Sequence, residues 1–276
     1  MLSRGRNIRS VSLFILLVVL KSVAQNNADA PAQAPPCPGR SVGTKALLFS
    51  VSINAALLSA TQHQQTYGGD VELMKNWNLA PAVCGWPHQR TLLQLIPSYD
   101  DKKGKKPPAN ITQNYDGRLQ HLIFLKNDKY YTSFDGDFYH NNSLGVYFQQ
   151  TYSTGLGALF LNNHVELDGG LAVLGEHFYP PTKSVSLVGT RLSERISIPL
   201  NFIVGKPTLS ETGVFIPVFN QSDAWQVRGV ATLFWLLPKG VTLSVKGFDD
   251  YLRNVPSAFT KNYVKSTLSI GYTFSK

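Results

Sequence analysis

The last stretch of the chain decides how the rest is read: Thr260-Lys261-Asn262-Tyr263-Val264-Lys265-Ser266-Thr267-Leu268-Ser269-Ile270-Gly271-Tyr272-Thr273-Phe274. Val264, Leu268, Ile270, Tyr272 and Phe274 alternate with Lys265, Thr267, Ser269, Gly271 and Thr273. Successive side chains of a strand point to opposite faces, so this pattern gives one apolar and one polar face. The same period of two returns upstream. Val241, Leu243 and Val245 alternate with Thr242, Ser244 and Lys246. Val165, Leu167, Leu171 and Val173 alternate with Glu166, Asp168 and Ala172. Tyr130, Thr132, Phe134 and Phe138 alternate with Ser133, Asp135 and Asp137.

Twelve such segments can be drawn: 46–59, 67–76, 89–99, 111–125, 129–139, 145–161, 164–178, 184–198, 203–218, 223–237, 240–250 and 260–274. Their turn signals lie mostly about 15–20 residues apart, whereas a soluble sandwich has strands near five or six residues with turns every 8–12. A membrane-spanning strand needs about 9–11 residues, apolar outside and polar inside, and closure satisfies every backbone group that lipid cannot. The reading is an all-β fold, an antiparallel transmembrane β-barrel of about twelve strands. Segments eight and nine are the weakest, because Arg191, Glu194, Pro199, Pro207 and Pro217 interrupt the alternation and proline is confined to edges and bulges. Ten strands therefore remains open.

Tight turns at 126–128, 162–163 and 238–239 gather at one end, with 77–88 as the exception. The other end has 60–66, 100–110, 140–144, 179–183, 219–222 and 251–259, which are longer or more polar. Short turns inside and long loops outside are the outer-membrane pattern, and an even strand count puts both termini in the periplasm. Tyr130, Phe134, Phe138, Phe148, Tyr152, Phe160, Trp235, Tyr272 and Phe274 fall mostly near segment ends, as interfacial girdles would require.

Composition fits an ordered, exported protein. The 276 residues are 43% hydrophobic and 11% aromatic, too apolar for a disordered chain. Four of the +9 formal charges (Arg4, Arg6, Arg9 and Lys21) lie in the first 24 residues, which hold no acid. The rest shows no basic stripe beyond Lys102, Lys103, Lys105 and Lys106 in a Gly/Pro-bearing loop, so a nucleic-acid footprint is not expected. The same lysines read first as a solvated loop, with contact to lipopolysaccharide phosphates as the alternative. Arginines, an apolar run over 11–20 and the small residues of Ser22-Val23-Ala24 read as a signal peptide over 1–24, cleaved after Ala24. A Pro/Ala-rich periplasmic leader follows over 25–44, then the barrel over 45–276. Cys37 and Cys84, the only cysteines, fall on one side of this topology, and a disulfide pinning the leader to the barrel base is expected.

The runs Asn127-Asp128-Lys129-Tyr130-Tyr131, Tyr139-His140-Asn141-Asn142-Ser143-Leu144-Gly145 and Gln149-Gln150-Thr151-Tyr152, with Gly155-Leu156-Gly157, resemble the salt-induced outer membrane protein family. The resemblance covers roughly 89–276. It implies an outer-membrane address and supplies no activity. The ending Leu268, Ile270, Tyr272 and Phe274 is similar to the aromatic-terminated strand that the barrel assembly machinery recognises, although Ser275 and Lys276 follow the aromatic.

The chemical motifs are sparse. Asp135 and Asp137 share a face, as do Glu166 and Asp168, and they read as lining a hydrated lumen opposite Arg228, Lys246 and Lys265. Asp135-Gly136-Asp137 lacks the flanking helices and the glutamate of a calcium loop. His63, His88, His121, His140, His164 and His177 show no metal-ligand spacing, and HExxH, GxSxG, Walker A and CxxC are absent, so no metal or cofactor is expected. The leading function is a non-enzymatic outer-membrane barrel, structural or a narrow pore, linked to osmotic stress only through the family resemblance. Two alternatives stay open: an outer-membrane lipid-acting hydrolase with a Ser–His pair across neighbouring strands, and a soluble secreted β-sheet binding protein.

Overall fold

The computed structural model describes residues 47–58, 63–77, 88–103, 110–125, 128–179, 183–221 and 224–275. The signal and leader with Ala24 and Cys37, the connection holding Cys84, and Lys105 and Lys106 all lie outside the described residues. Twelve strands follow in order: β1 Leu47–Leu58, β2 His63–Trp77, β3 Gln89–Lys103, β4 Asn110–Phe124, β5 Tyr130–Asn141, β6 Val146–Phe160, β7 Val165–Phe178, β8 Lys183–Pro199, β9 Thr208–Ile216, β10 Gln226–Leu236, β11 Val241–Leu252 and β12 Asn262–Ser275. Each pairs antiparallel with its sequence neighbours, and β1 pairs with β12, from Leu48↔Ser275 to Ala55↔Leu268. The sheet is a closed barrel, so no strand presents a free edge.

The count of twelve removes the ten-strand alternative, and the prolines explain the weak segments. Pro199 ends β8, while Pro207 and Pro217 flank β9. β9 is accordingly Thr208–Ile216, shorter than the 203–218 expected from sequence. The link 200–207 is a long one at the end otherwise marked by tight turns. Pro97 does lie inside β3, and there the β2–β3 ladder is interrupted between Gly68↔Ser98 and Val71↔Leu95 because proline has no N–H to donate. β2 and β3 also run further than expected, pairing His63↔Lys103, and β3 continues against β4 to Lys102↔Asn110. Those rungs are polar on both faces, so in sequence they read as loops.

The two faces are inverted relative to a water-soluble protein. On β12, Leu268 and Ile270 are 57% and 60% exposed, whereas Thr267 and Ser269 are 3% and 2% exposed. The outward face continues through Ile53, Leu95, Leu119, Leu156, Leu171 and Leu192. Exposed apolar patches on soluble monomers rarely exceed a few hundred Å². A belt contributed by strand after strand is what lipid requires. Outward aromatics stand toward both ends: Trp77, Tyr130, Phe160, Tyr272 and Phe274 near the end that holds Leu47 and Ser275, and Tyr67, Tyr99, Tyr115, Phe138 and Tyr152 toward the other. At the first end the Lys75 ammonium lies 3.6 Å from the Trp77 ring centroid, its stem along the apolar wall.

An apolar cluster stands at each end of the interior. At the end away from Leu47, the β5–β6 connection folds inward as a 3-10 turn, Asn142–Leu144, whose Ser143 and Leu144 N–H groups donate to the Asn141 side chain. Leu144 packs with Tyr139, Val146, Phe178, Leu252 and Val255, so this connection and the one after β11 cover the mouth together. At the opposite end Leu122, Phe124, Tyr131 and Leu159 pack, with His88 stacked on Phe124 at 4.6 Å. Tyr131 fits because Gly157 faces it, where a Cβ would come within 2.3 Å of the ring.

Gly145 fixes the cover. It has φ 71°, and a Cβ there would fall 2.5 Å from the Phe259 ring. Gly145→Ala combines left-handed strain with a clash, so a loss of about 1–3 kcal/mol is expected. The denaturant midpoint of the folded barrel reads this loss, and an unchanged midpoint would refute the packing of 253–261 against this turn.

Candidate functional site: a bridged lumen

The inward face of β4 and β5 sets the centre of the lumen. Asp135 accepts from Gln120 Nε2 at 3.0 Å and Arg118 Nη2 at 3.2 Å, and lies 3.3 Å from Arg191 Nη1 of β8. Asp137 lies 3.6 Å from Arg191 Nε and 3.4 Å from Arg228 Nη2 of β10. Arg191 also reaches Asp168 of β7 at 3.4 Å. Its side chain is 1% exposed, and three carboxylates surround it. A buried guanidinium is tolerable only with this degree of pairing, because its desolvation cost is several kcal/mol.

Further pairs run from wall to wall. Glu166 of β7 accepts from both terminal nitrogens of Arg90 on β3, one at 2.7 Å. Lys246 of β11 donates to Asp70 of β2. In a ring of twelve, strands six apart stand opposite each other. Three contacts join such strands: Arg195–Glu72 at 3.7 Å across β8 and β2, Arg228–Asp116 at 3.9 Å across β10 and β4, and Tyr139 Oη donating to Asp250 at 2.8 Å across β5 and β11. Toward the covered mouth, Gln149 of β6 donates to Glu176 of β7 at 2.6 Å and to Gln226 of β10 at 3.2 Å. Side chains from opposite walls therefore meet across the polar interior.

The singled-out residues occupy the following places. Asp135, Asp137, Glu166, Asp168 and Arg228 belong to the bridged centre. Lys246 pairs with Asp70 at its edge, while Lys265, also inward and buried, stands 5.7 Å from the Phe248 ring centroid. Leu268, Ile270, Tyr272 and Phe274 face outward. Sequence reasoning missed Arg90, Arg118 and Arg195, and treated Arg191 as a break in the pattern. The signal was parity: Arg191, Ser193 and Arg195 share one face of β8, but Glu194 between them disguises it.

The histidines give one contact of interest to a hydrolase. His177 Nδ1 and Ser184 Oγ lie 3.0 Å apart on the outer face of β7 and β8. Among the described residues His177 has no second partner to orient its ring. His121 Nδ1 lies 3.0 Å from Thr91 Oγ1 in the same manner. No group of three metal-ligating side chains occurs among the described residues.

A family profile described as "Protein of unknown function, DUF481" matches residues 52–274. The match begins within β1, well before the 89–276 region that the sequence resemblance covers, and its description carries no inducing condition. No curated protein matches at a significant level. Among solved structures, an outer membrane channel from Pseudomonas putida F1 aligns at 10% identity over 89% of this chain and 100% of its own, with a TM-score of 0.47. The translocator domain of the autotransporter NalP from Neisseria meningitidis aligns at 11% identity over 96% and 97%, with a TM-score of 0.42. The β domain of the Bordetella autotransporter BrkA aligns at 13% identity over 83% and 98%, with a TM-score of 0.37.

Proposed function

We propose that this chain, which belongs to the DUF481 family of proteins of unknown function, is a non-enzymatic outer-membrane barrel with a side-chain-bridged lumen that passes small ions at most. The observation that carries the reading is the set of contacts between opposite strands, Arg195–Glu72, Arg228–Asp116 and Tyr139–Asp250. An interior of roughly eight strands is filled by side chains, whereas sixteen to eighteen strands leave an aqueous channel. Twelve strands lie between these limits, and the bridges support the filled kind. Its contribution to the envelope is then structural, or that of a narrow pore which opens only when the bridges part.

The address carries its own expectations. Export through 1–24 with cleavage after Ala24 leaves the 25–44 leader and both chain termini in the periplasm, and the β-signal of Leu268, Ile270, Tyr272 and Phe274 engages the barrel assembly machinery. Lipid and lipopolysaccharide surround the outer belt, and Cys37 and Cys84 pair. Fractionation of expressing cells tests the address: a heat-modifiable band in the outer membrane supports it, and a band confined to the soluble fraction contradicts it. Proteoliposome swelling tests the lumen. Arabinose and glucose should fail to enter, and swelling at porin-like rates would overturn the filled-lumen reading. The salt link rests on the sequence resemblance alone, and protein abundance at low and high external salt checks it.

A hydrolase is the second reading, favoured only by the Ser184–His177 contact. Labelling of Ser184 by a fluorophosphonate would support it; no labelling of folded barrel would remove it.

A further inference from the structure

We infer that the outer wall of β7–β10 carries a groove for an amphiphile bearing a primary ammonium group, with Glu194 as its counter-ion. The placement of Glu194 follows from register. Arg191 and Ser193 are buried in the lumen and Leu192 is exposed, so Glu194 shares the outer face with Leu192. It stands opposite Leu167 on β7 and Gly213 on β9. A Cβ on Gly213 would lie 2.9 Å from Glu194 Oε1, so the carboxylate leans over bare backbone. Here the wall carries an open hollow of about 420 Å³ whose outward side chains are Leu167, Leu192, Phe215, Val227 and Glu194. That volume lies within the range of small-molecule sites.

A carboxylate in this position is unusual. Along β8 the exposed apolar residues on its side of the wall are Val188 and Leu192, with Thr190 between them, whereas Ile196 and Ile198 beyond it are buried. Ionisable groups are rare on membrane-spanning segments and normally face the interior, because lipid cannot solvate them. Glu194 has neither a cation nor a hydrogen-bond donor among the described residues. The next outward residue beside Gly213 on β9 is Glu211, which adds repulsion rather than relief. A second copy meeting this face symmetrically would set acid against acid.

The occupant must therefore bring positive charge from the lipid phase together with an alkyl chain for Leu167, Leu192, Phe215 and Val227. A primary ammonium supplies charge and donors, and a charge-assisted hydrogen bond is strong where water is scarce. An alcohol of the same chain length fills the groove but leaves the carboxylate unpaired, and an anionic amphiphile is repelled.

Native mass spectrometry of the whole barrel released from dodecyl maltoside micelles provides the test, with 1-dodecylamine and 1-dodecanol as probes at neutral pH. The wild type should retain the amine at about tenfold higher occupancy than the alcohol. Glu194→Gln should lower the amine to the level of the alcohol, and Val227→Trp should displace both by filling the groove. Heat-modifiable migration establishes that each variant is folded, and if Glu194→Gln does not fold, Val227→Trp alone decides. Equal retention of the two probes in the wild type, or an amine preference that survives the available substitution, overturns the inference. Neither substitution touches a lumen side chain, so either result leaves the conductance reading to its own test.

Discussion

Arg191→Ala is expected to destabilise the folded barrel by about 3–5 kcal/mol, the range for removing one partner of a buried ion pair. The guanidinium is the shared partner of Asp135, Asp137 and Asp168, and its loss leaves three carboxylates close together in a space with little water. Like charges in that setting repel strongly. Urea titration of the barrel folded into phosphatidylcholine vesicles measures the loss. Arg191→Lys should recover only part of it, because an ammonium cannot reproduce the forked contacts of Arg191 to Asp135, Asp137 and Asp168. A loss below about 0.5 kcal/mol, the usual range for surface substitutions, would mean that water rather than Arg191 satisfies these carboxylates.

Leu268→Arg carries the second large effect, on the other face of the wall. Leu268 is at mid-strand on β12 and faces outward, where an arginine near the bilayer midplane costs about 2–4 kcal/mol. Ser269→Ala, one residue along and turned into the lumen, should change stability by less than about 0.5 kcal/mol, because it removes only a small hydroxyl. The two substitutions compared in the same vesicles report which face meets lipid. A soluble β-protein predicts the reverse order, since an exposed arginine is harmless in water. Comparable costs for the two would also contradict the inverted faces.

The strands themselves were legible because lipid enforces a strict rule. Where a strand crosses the apolar belt, outward residues must be apolar and inward ones tend to be polar, and β5, β7, β11 and β12 obey that rule closely. Legibility failed where the rule lapses. The outer rungs of β2 and β3 stand beyond the belt, so their pairing left no alternation to read. β8 carries charge on both faces, with Arg191 and Arg195 inward and Glu194 outward, and the pattern dissolved there although the pairing is regular.

The lumen was legible in kind but not in arrangement. Alternation places Asp135, Asp137, Glu166 and Asp168 on the inner face, yet says nothing about who meets them across the barrel. Arg118 is 17 residues from its partner Asp135, whereas Arg228 is 91 residues from Asp137 and Lys246 is 176 residues from Asp70. Such contacts depend on barrel size and stagger, which no local pattern encodes. The inward fold of the connection at Asn142–Leu144 was hidden for a similar reason. Its glycine and asparagines announce a turn, but burial of Leu144 depends on Val255 and Leu252 from the far side of the sequence.

Single-channel recording of purified barrel in a planar bilayer tests the bridged lumen most directly. The account predicts that the wild type is silent or shows only small, ion-scale steps, and that Arg191→Ala raises their size or frequency. Large, stable steps from the wild type, together with passage of sugars, would show an open bore and contradict the account.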